Sequence, residues 1–332
     1  MKIDIFTHLL PQSFLDDFMA AVGPDFYLRD LPKQIPELVD IPTRFALMDE
    51  LGIDKQVITL PTPPIEEVIT DPVAAHKLAQ KANDAMAEVG QASNGRFLPV
   101  GTIAMNNMDE AAAEAERCVK ELGLKGVLIY TNAAGSAIDA DKFLPFYEAM
   151  ESMDAPIWLH PARTPMRADY VDEDVSQYAI WQIFGWPYET SMAMTRLIFN
   201  GVMDRVPDIK IITHHAGAMI PAFDKRIELV YPLFDHMGNL GDTYKNLKKP
   251  ILDYYRMFYN DTALMGSIGG MAAAYAFFGA EKLLFGTDTP FDTVGGRIFN
   301  EEAIASIESL AIPPAEREKI YSGNAIKMLG LD

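Results

Sequence analysis

Short apolar runs recur along the chain and alternate with longer stretches in which apolar residues are spaced three and four positions apart. Runs such as 57–60 and 157–159 place apolar residues on both faces of the strand that they would form. Strands covered on both sides, as in parallel sheets, have this pattern. It predicts eight strands, at Lys2–Phe6, Lys55–Leu60, Phe97–Ile103, Gly126–Tyr130, Pro156–His160, Ile209–Thr213, Met257–Asp261 and Lys282–Phe285.

The stretches between these strands have the apolar spacing of amphipathic helices. They predict helices at Val73–Val89, Met108–Leu122, Glu189–Val206, Ile298–Leu310 and Pro314–Leu329. Strands that alternate with helices in this number favour an α/β fold of the (β/α)₈ type, a TIM barrel, over an open doubly wound sheet. We predict one domain over residues 1–332. Irregular insertions near residues 12–42 and 162–180 are expected to lie over the catalytic face.

The composition adds a strong acidic excess, with a net charge of −19 over 332 residues. This charge disfavours nucleic acid and anionic membrane surfaces as partners. No apolar run reaches the length of a transmembrane helix. The single cysteine, Cys118, is interpreted as a packing residue. Because one cysteine allows no disulfide within the chain, we expect a reducing, cytoplasmic location.

Residues whose side chains can bind a metal ion stand at the ends of four predicted strands. They are His8, His160, the pair His214 and His215, and Asp288. Because the carboxyl ends of parallel barrel strands converge on one rim, these distant residues are expected to meet in space. Imidazole and carboxylate are ligands that Zn²⁺ and similar divalent ions prefer. Each residue alone is more often a hydrogen-bonded loop residue or a turn cap. Together they predict a metal site.

The chain resembles the amidohydrolase superfamily, in particular the branch that includes aminocarboxymuconate-semialdehyde decarboxylase and γ-resorcylate decarboxylase. The resemblance covers nearly the whole chain and is strongest in the segments 1–11, 158–161, 186–221 and 284–290. It implies a barrel of the metal-dependent hydrolase type. It also implies a small-molecule carboxylic acid as the substrate.

By this resemblance, His8, His160 and Asp288 occupy the positions of the metal ligands. One divalent ion is implied, zinc in the first place, with manganese as the alternative. His215 matches the family's histidine of the sixth strand, since Gly217 follows it at the family's spacing. The resemblance implies that His215 transfers a proton or activates water near the metal, with Asp288 as the second catalytic residue.

Two positions depart from the family pattern. The family has His-x-His on the first strand, or Glu-x-His in some decarboxylases, whereas this chain has Phe6 two residues before His8. Phenylalanine cannot ligate a metal, which leaves three protein ligands and an open position, an arrangement known for catalytic zinc, or else weakens metal binding. His214 stands where relatives often carry a small residue. Since neighbouring residues of a regular strand point to opposite sides, we expect His215 to face the site and His214 to be structural.

Two arginines match the residues that bind the substrate carboxylate in aminocarboxymuconate-semialdehyde decarboxylase, where a neighbouring subunit lends one of them. These are Arg44 and Arg226, and their alternative role is to pair with surface acids. A lent arginine implies a homo-oligomer. The planar fork of guanidinium suits a carboxylate. Glu189 either orients a site residue or forms a buried ion pair, for which Arg196 is the candidate partner.

The leading functional hypothesis is a metal-dependent, non-oxidative decarboxylase that acts on an unsaturated or aromatic carboxylic acid. The alternative is a hydrolase or hydratase of a lactone, amide or conjugated acid, and the third hypothesis is a metal-free barrel that only binds a ligand. A hydrophobic, arginine-gated pocket would favour decarboxylation, whereas a hydrated pocket with a second general acid would favour hydrolysis. The sequence has no dinucleotide-binding or phosphate-loop motif. Four aromatic residues either wall such a pocket or belong to the core: Trp158, Tyr178, Trp181 and Trp186.

Overall fold

The computed structural model of the chain describes residues 1–24 and 26–331, so residue 25 of the first predicted insertion and residue 332 lie outside the described part. The strands are β1 (Ile3–His8), β2 (Lys55–Thr59), β3 (Phe97–Pro99), β4 (Gly101–Thr102), β5 (Val127–Tyr130), β6 (Asn132–Ala133), β7 (Ser136–Ala137), β8 (Ile157–His160), β9 (Ile211–Thr213) and β10 (Tyr259–Asn260). Seven of the eight predicted strands are among them, and the last is present as a parallel bridge from Leu283 to Asn260. The small antiparallel hairpin β6–β7 was not predicted.

The barrel strands are parallel and lie in the orders β1-β2-β3 and β10-β9-β8-β5-β4. Strands β3 and β4 belong to one run that is interrupted at Val100. Segment 283–289 lies between β10 and β1, because it bridges to Asn260 and because the Ile5 amide donates to the Phe285 carbonyl over 2.7 Å. These hydrogen bonds complete a circuit of parallel strand positions, which is the arrangement of a (β/α)₈ barrel.

Helices follow the strands as predicted, with more interruptions. They are α1 (Leu15–Val22), α2 (Leu31–Gln34), α3 (Ile41–Leu51), α4 (Ile65–Val68), α5 (Pro72–Ala92), α6 (Met108–Glu116), α7 (Leu144–Ser152), α8 (Ile180–Ile183), α9 (Gly185–Phe199), α10 (Val202–Arg205), α11 (Asp224–His236), α12 (Ile251–Tyr255), α13 (Ile268–Phe278), α14 (Arg297–Glu308), α15 (Pro314–Glu318) and α16 (Asn324–Leu329). The predicted helix 189–206 is broken at Gly201, whose φ of 72° is left-handed. Among the described residues, no helix is both long and apolar enough to cross a membrane.

Apolar side chains from alternate strand positions fill the barrel interior, among them Ile3, Val57, Leu98, Leu128 and Ile212. Trp158 is the largest of these residues, and its indole nitrogen donates to the carbonyl of Ile5 across the barrel at 2.8 Å. A second, larger cluster fills the space between strands and helices and includes the fully buried Cys118. The barrel interior is therefore a packed apolar core. The buried histidines lie at the carboxyl ends of the strands, above this core.

The two predicted insertions differ in structure. Residues 162–179 contain turns and bends but no helix or strand, whereas the described part of 12–42 carries α1, α2 and the start of α3. Strand β1 shifts register against β2 between Asp4 and Thr7. As a result, both Ile5 and Phe6 contact the interior cluster.

Candidate active site and metal centre

His8 and His160 end strands β1 and β8 and are almost fully buried. The Nδ1 atom of His8 lies 3.2 Å from the carbonyl oxygen of Leu60, and that of His160 lies 2.6 Å from the carbonyl oxygen of Pro161. Because a carbonyl oxygen only accepts, each Nδ1 carries the proton and donates. The Nε2 atom of each ring is thereby left with its lone pair.

His214 and His215 come after β9, which ends at Thr213. The φ angles of His215 and Ala216 are 59° and 53°, so the backbone is left-handed there and the strand does not continue. The two neighbouring imidazole rings therefore lie side by side, with centroids 3.9 Å apart. The expected placement of His214 away from the site was wrong, because it assumed a regular strand. Its Nδ1 is hydrogen bonded to the buried carboxylate of Asp261.

Asp288 is the point on which three of these imidazoles converge. Its Oδ1 lies 3.2 Å from Nε2 of His8 and 3.3 Å from Nε2 of His214. Its Oδ2 lies 3.8 Å from Nε2 of His215. The structure thus brings together His8, His215 and Asp288 as predicted, with His160 packed edge-on against His8 at a centroid distance of 5.3 Å.

The position of Asp288 depends on a buried acid of the first strand. Asp4 accepts hydrogen bonds from the hydroxyl of Thr287, at 2.6 Å, and from its amide, at 3.1 Å. Burial raises the pKa of Asp4 to about 7, although the hydrogen bond from Thr287 acts in the opposite direction. The link fixes the backbone just before Asp288, whose own φ of 65° is left-handed.

The charges of the rim follow from these contacts. Burial opposes ionisation of Asp288, but His214, His215 and His8 hold its pKa well below the ordinary value. Burial and the neighbouring His214 lower the pKa of His215, and burial with His214 and His8 lowers that of His160. Although burial disfavours its charge, Asp261 and Asp288 raise the pKa of His214 to about 10. An ionised carboxylate is therefore surrounded by imidazoles, two of them neutral at pH 7.

The donor set fits a divalent metal ion. His8, His160 and His214 each offer a ligand atom within 4.8 Å of the others, and so do His214, His215 and Asp288. The Nε2 atoms of His8 and His214 are buried and have no hydrogen-bond partner within the described part of the chain. A buried polar atom without a partner is costly, and imidazole and carboxylate groups are ligands for divalent ions. The unpaired nitrogen atoms and the ligand chemistry of these histidines and Asp288 both point to a divalent metal ion.

Two adjoining cavities open at this rim. One, of about 440 Å³, is lined by His215 and mainly by apolar residues, among them Pro187, Leu264 and Phe299. The other, of about 210 Å³, is lined by His160, Asp288 and three residues of the first insertion, Leu28, Leu31 and Ile35. Both cavities share Gln182, Trp186 and Phe291.

The aromatic residues proposed as a pocket wall lie in three different parts of the molecule: at the cavities, in the core and on the surface. Trp186 lines both cavities and Trp181 lines the smaller one, whereas Trp158 belongs to the core below. Tyr178 is 89% exposed and lines neither cavity. Phe291 was missed, although it follows Asp288 by three residues and lies 5.0 Å from the ring of His8. An aromatic residue this close to a predicted ligand was the available signal.

The arginines are not placed as substrate ligands within this chain. Arg44 is 1% exposed, and its guanidinium donates to the carbonyl of His8 and to Oε1 of Gln56, both at 2.8 Å. It supports the end of β1 and lines neither cavity, so its expected contact with substrate does not hold in this arrangement. Arg226 is exposed on α11 and lines a surface groove with Phe223.

Glu189 is paired, but with a different arginine from the one expected. Its buried carboxylate accepts from Arg167 at 2.8 Å and from the hydroxyl of Thr131 at 3.0 Å. Arg196 instead pairs with Asp139 at 2.8 Å. Glu189 therefore belongs to an ion pair of which only the carboxylate is buried, since Arg167 is half exposed, and the proposed partner Arg196 was wrong.

A model of the family described as "Amidohydrolase" matches residues 3–331. The chain belongs to the amidohydrolase family. A γ-resorcylate decarboxylase of Polaromonas sp. (strain JS666) is 31% identical over 341 residues, which cover 100% of this chain and 99% of that protein. The family resemblance predicted from the motifs is therefore confirmed.

Solved structures of amidohydrolase relatives show the same fold. The 5-carboxyvanillate decarboxylase of Sphingomonas paucimobilis has a TM-score of 0.86 at 26% identity and covers 100% of this chain and 99% of its own. A dihydroxybenzoic acid decarboxylase of Polaromonas sp. JS666, solved with bound manganese and the inhibitor 2-nitroresorcinol, has a TM-score of 0.81 at 30% identity, with 99% and 96% covered. These likenesses confirm the barrel fold.

Proposed function

We propose that this chain is a metal-dependent, non-oxidative decarboxylase of an aromatic carboxylic acid. The observation that carries the proposal is that His160 and Asp288 line one cavity of the rim, with His8 beside both, while His215 lines the adjoining apolar cavity. Relatives over the whole chain are named as decarboxylases of such acids. An apolar cavity suits this reaction, since a carboxylate that leaves as CO₂ loses its charge.

His8, His160 and Asp288 would hold the metal ion, with His215 free for proton transfer. A divalent ion bound there supplies Lewis-acid chemistry toward the oxygen atoms of the substrate. Zinc and manganese both suit imidazole and carboxylate ligands. Manganese is the metal bound in the solved Polaromonas relative. We therefore propose a single ion, which is either manganese or the zinc that the sequence analysis placed first.

The reaction needs one proton for each CO₂ that leaves. The bond from the ring carbon to the carboxylate breaks, its electron pair stays on the carbon, and a proton joins that carbon. We assign the delivery of this proton to His215, which lines the larger cavity. Because its pKa is lowered, His215 is neutral at pH 7 and must first take up a proton from water; the protonated ring is then a stronger acid than free imidazole. The carboxylate of Asp288 lies 3.8 Å from Nε2 of His215, where its negative charge favours the protonated ring.

Hydrolysis or hydration has less support in the cavity lining. Apart from Asp288, no acidic side chain among the described residues lines either cavity next to the rim. A second general acid was the feature expected of a hydrolase. A hydrophobic pocket gated by arginine was the feature expected of a decarboxylase; the apolar lining is present, but no arginine of the described residues lines either cavity.

The test is a decarboxylation assay in D₂O on 2,6-dihydroxybenzoate and 5-carboxyvanillate, with protein loaded with Mn²⁺ or Zn²⁺. We expect CO₂ and a product that carries one deuterium on the carbon that lost the carboxylate. Metal-depleted protein should be inactive. Cleavage of esters, amides or lactones without CO₂ release from any aromatic acid would contradict the proposal.

A homo-oligomer is proposed from one outer face. Exposed apolar side chains lie on and beside α11, and three of them follow one another at four-residue spacing; the exposed residues are Phe223, Leu229, Leu233, Phe234 and Met237. Arg226 lies on the same helix. Exposed apolar stripes of this kind mark contact surfaces, and a second copy would bury the stripe together with Arg226.

Light scattering on a sizing column tests the oligomer. Leu233→Glu should yield a monomer, and Val171→Glu, at an exposed apolar residue elsewhere, should leave the assembly unchanged. An unchanged assembly in Leu233→Glu would exclude this face.

We also propose a cytoplasmic location, because one cysteine allows no disulfide within the chain.

A further inference from the structure

The first strand lacks one of the donors that the family motif would supply. Phe6 stands at that position, and its ring has no atom that can bind a metal. The ring is fully buried and stacks on the imidazole of His214, with centroids 4.1 Å apart and planes inclined by 22°. The side chain that replaces the donor therefore lies directly against an imidazole that the sequence alone did not assign to the site.

His214 is prepared as a ligand in the same way as His8 and His160. In all three, Nδ1 is tied to a protein oxygen: the carbonyl of Leu60, the carbonyl of Pro161 or the carboxylate of Asp261. The outer hydrogen bond of a metal-bound histidine typically has this form, because it fixes the tautomer and the ring orientation. The inner nitrogen of His214 is left buried without a hydrogen-bond partner.

His215 differs from these three rings in the hydrogen bonding of its Nδ1 atom and in the position of its Nε2 atom. Its Nδ1 is buried and has no hydrogen-bond partner among the described residues, so nothing fixes its tautomer. Its Nε2 lies farther from Asp288, at 3.8 Å against 3.3 Å for Nε2 of His214. A ring without an anchored outer nitrogen suits proton transfer better than ligation.

We infer that His214 is a metal ligand of this protein and takes the place of the donor lost at Phe6. The inference rests on the proposed metal centre and adds a fourth protein donor to His8, His160 and Asp288. Asp261 is then a positioning residue, since it acts on the ion only through the ring of His214. The metal class is a divalent ion that accepts imidazole and carboxylate, as before.

Binding of Mn²⁺ to metal-depleted protein, followed by the electron paramagnetic resonance signal of free Mn²⁺, measures the contribution of His214. We expect His214→Ala and His160→Ala each to weaken Mn²⁺ binding at least tenfold, and Asp261→Asn to weaken it within the range of about 10- to 100-fold known for outer-shell partners. His236→Ala, at an exposed histidine, is the matched control and should bind as the wild type does.

The outcomes separate this inference from the proposed function. Loss of Mn²⁺ affinity in both His160→Ala and His214→Ala supports both. Loss in His160→Ala with wild-type affinity in His214→Ala overturns the assignment of His214 and leaves the metal centre intact. Wild-type affinity in both variants overturns the metal centre itself.

A crystal structure of wild-type protein soaked with Zn²⁺ tests the same point without a variant that could fail to fold. We expect Nε2 of His214 at about 2.1 Å from the ion, the ordinary zinc–imidazole distance. An ion bound by His8, His160 and Asp288 with Nε2 of His214 outside bonding distance of it would refute the inference.

Discussion

Two buried carboxyl groups in this chain have opposite states. Asp288 is 4% exposed and lies among the imidazoles of His8, His214 and His215, which hold its pKa well below the ordinary value. Glu66 of α4 is 1% exposed, and neither of its carboxylate oxygens has a hydrogen-bond partner among residues 1–24 and 26–331. Burial raises the pKa of Glu66 to about 8.

The difference between the two groups lies in their partners and not in their burial. Removing a carboxylate from water disfavours its charge, and only nearby cationic or proton-donating groups reverse this. The rim therefore keeps an ionised carboxylate that can serve a metal ion, whereas Glu66 is neutral at pH 7. A buried acid alone would not have marked the active site.

The largest effect is expected from Asp288→Asn, which removes the charge on which three imidazoles converge. We expect metal binding to be lost and the rate of CO₂ release to fall about 10³-fold or more, since an electrostatic contribution of this kind is removed. Metal analysis and the CO₂ assay together measure it. Asp172→Asn, at an exposed aspartate, serves as the control. Retention of both metal and activity would mean that the rim does not depend on this carboxylate.

His215→Asn should separate proton transfer from metal binding. Its imidazole lines the larger cavity and, in our assignment, is not a ligand. The variant is expected to keep the bound metal while the rate of CO₂ release falls about 10²- to 10⁴-fold, the usual contribution of a general acid. If metal content falls with activity, His215 belongs to the ligand set.

Glu66→Gln tests the other side of the comparison through stability. A carboxyl whose pKa is raised in the folded state favours folding below its unfolded value of 4.5, and this contribution is lost as the pH rises through about 8. The variant should therefore gain stability relative to the wild type between pH 5 and pH 9, on the order of 3 kcal/mol at the upper end. Urea midpoints at pH 5, 7 and 9 measure the gain. A difference that does not change with pH would show that Glu66 is ionised in the folded protein.

Arg167→Met gives the smallest expected effect. It removes the cation beside Glu189, a buried carboxylate that is also held by the hydroxyl of Thr131 and the amide of Ala162. Because Arg167 is half exposed and two other donors remain, we expect a loss of only about 1 kcal/mol in the free energy of unfolding. A loss as large as that caused by breaking a fully buried ion pair would show that the two remaining donors contribute little.

The fold was predictable because its strands carry a local signal. Runs such as 57–60 are apolar on both faces, and this marks them as strands of a covered parallel sheet wherever they lie. The break of the predicted helix at Gly201 also has a local cause, a residue that adopts positive φ at low cost. His8, His160 and Asp288 were found because strand ends in a barrel converge.

The rest of the site depends on contacts that the local sequence does not contain. The left-handed backbone after Thr213, which turns His214 inward, is supported by the carboxylate of Asp261, 45 residues away, which accepts from the amide of Ala216. The guanidinium of Arg44 is hydrogen bonded to the carbonyl of His8 and to Gln56, and these bonds keep it out of the cavity. Both outcomes follow from tertiary hydrogen bonds, and neither can be inferred from residue type and spacing alone.

The link between Asp4 and Thr287 joins positions 283 residues apart. During synthesis, the amino-terminal strand leaves the ribosome long before its partner exists, and long-range parallel pairing of this kind forms slowly. His8 and His160 are made early, yet their carboxylate partner arrives only when the last strand position docks. In the proposed metal centre, the complete donor set would therefore form only late in synthesis, and a chain that stops before residue 288 would carry the histidine donors without their carboxylate.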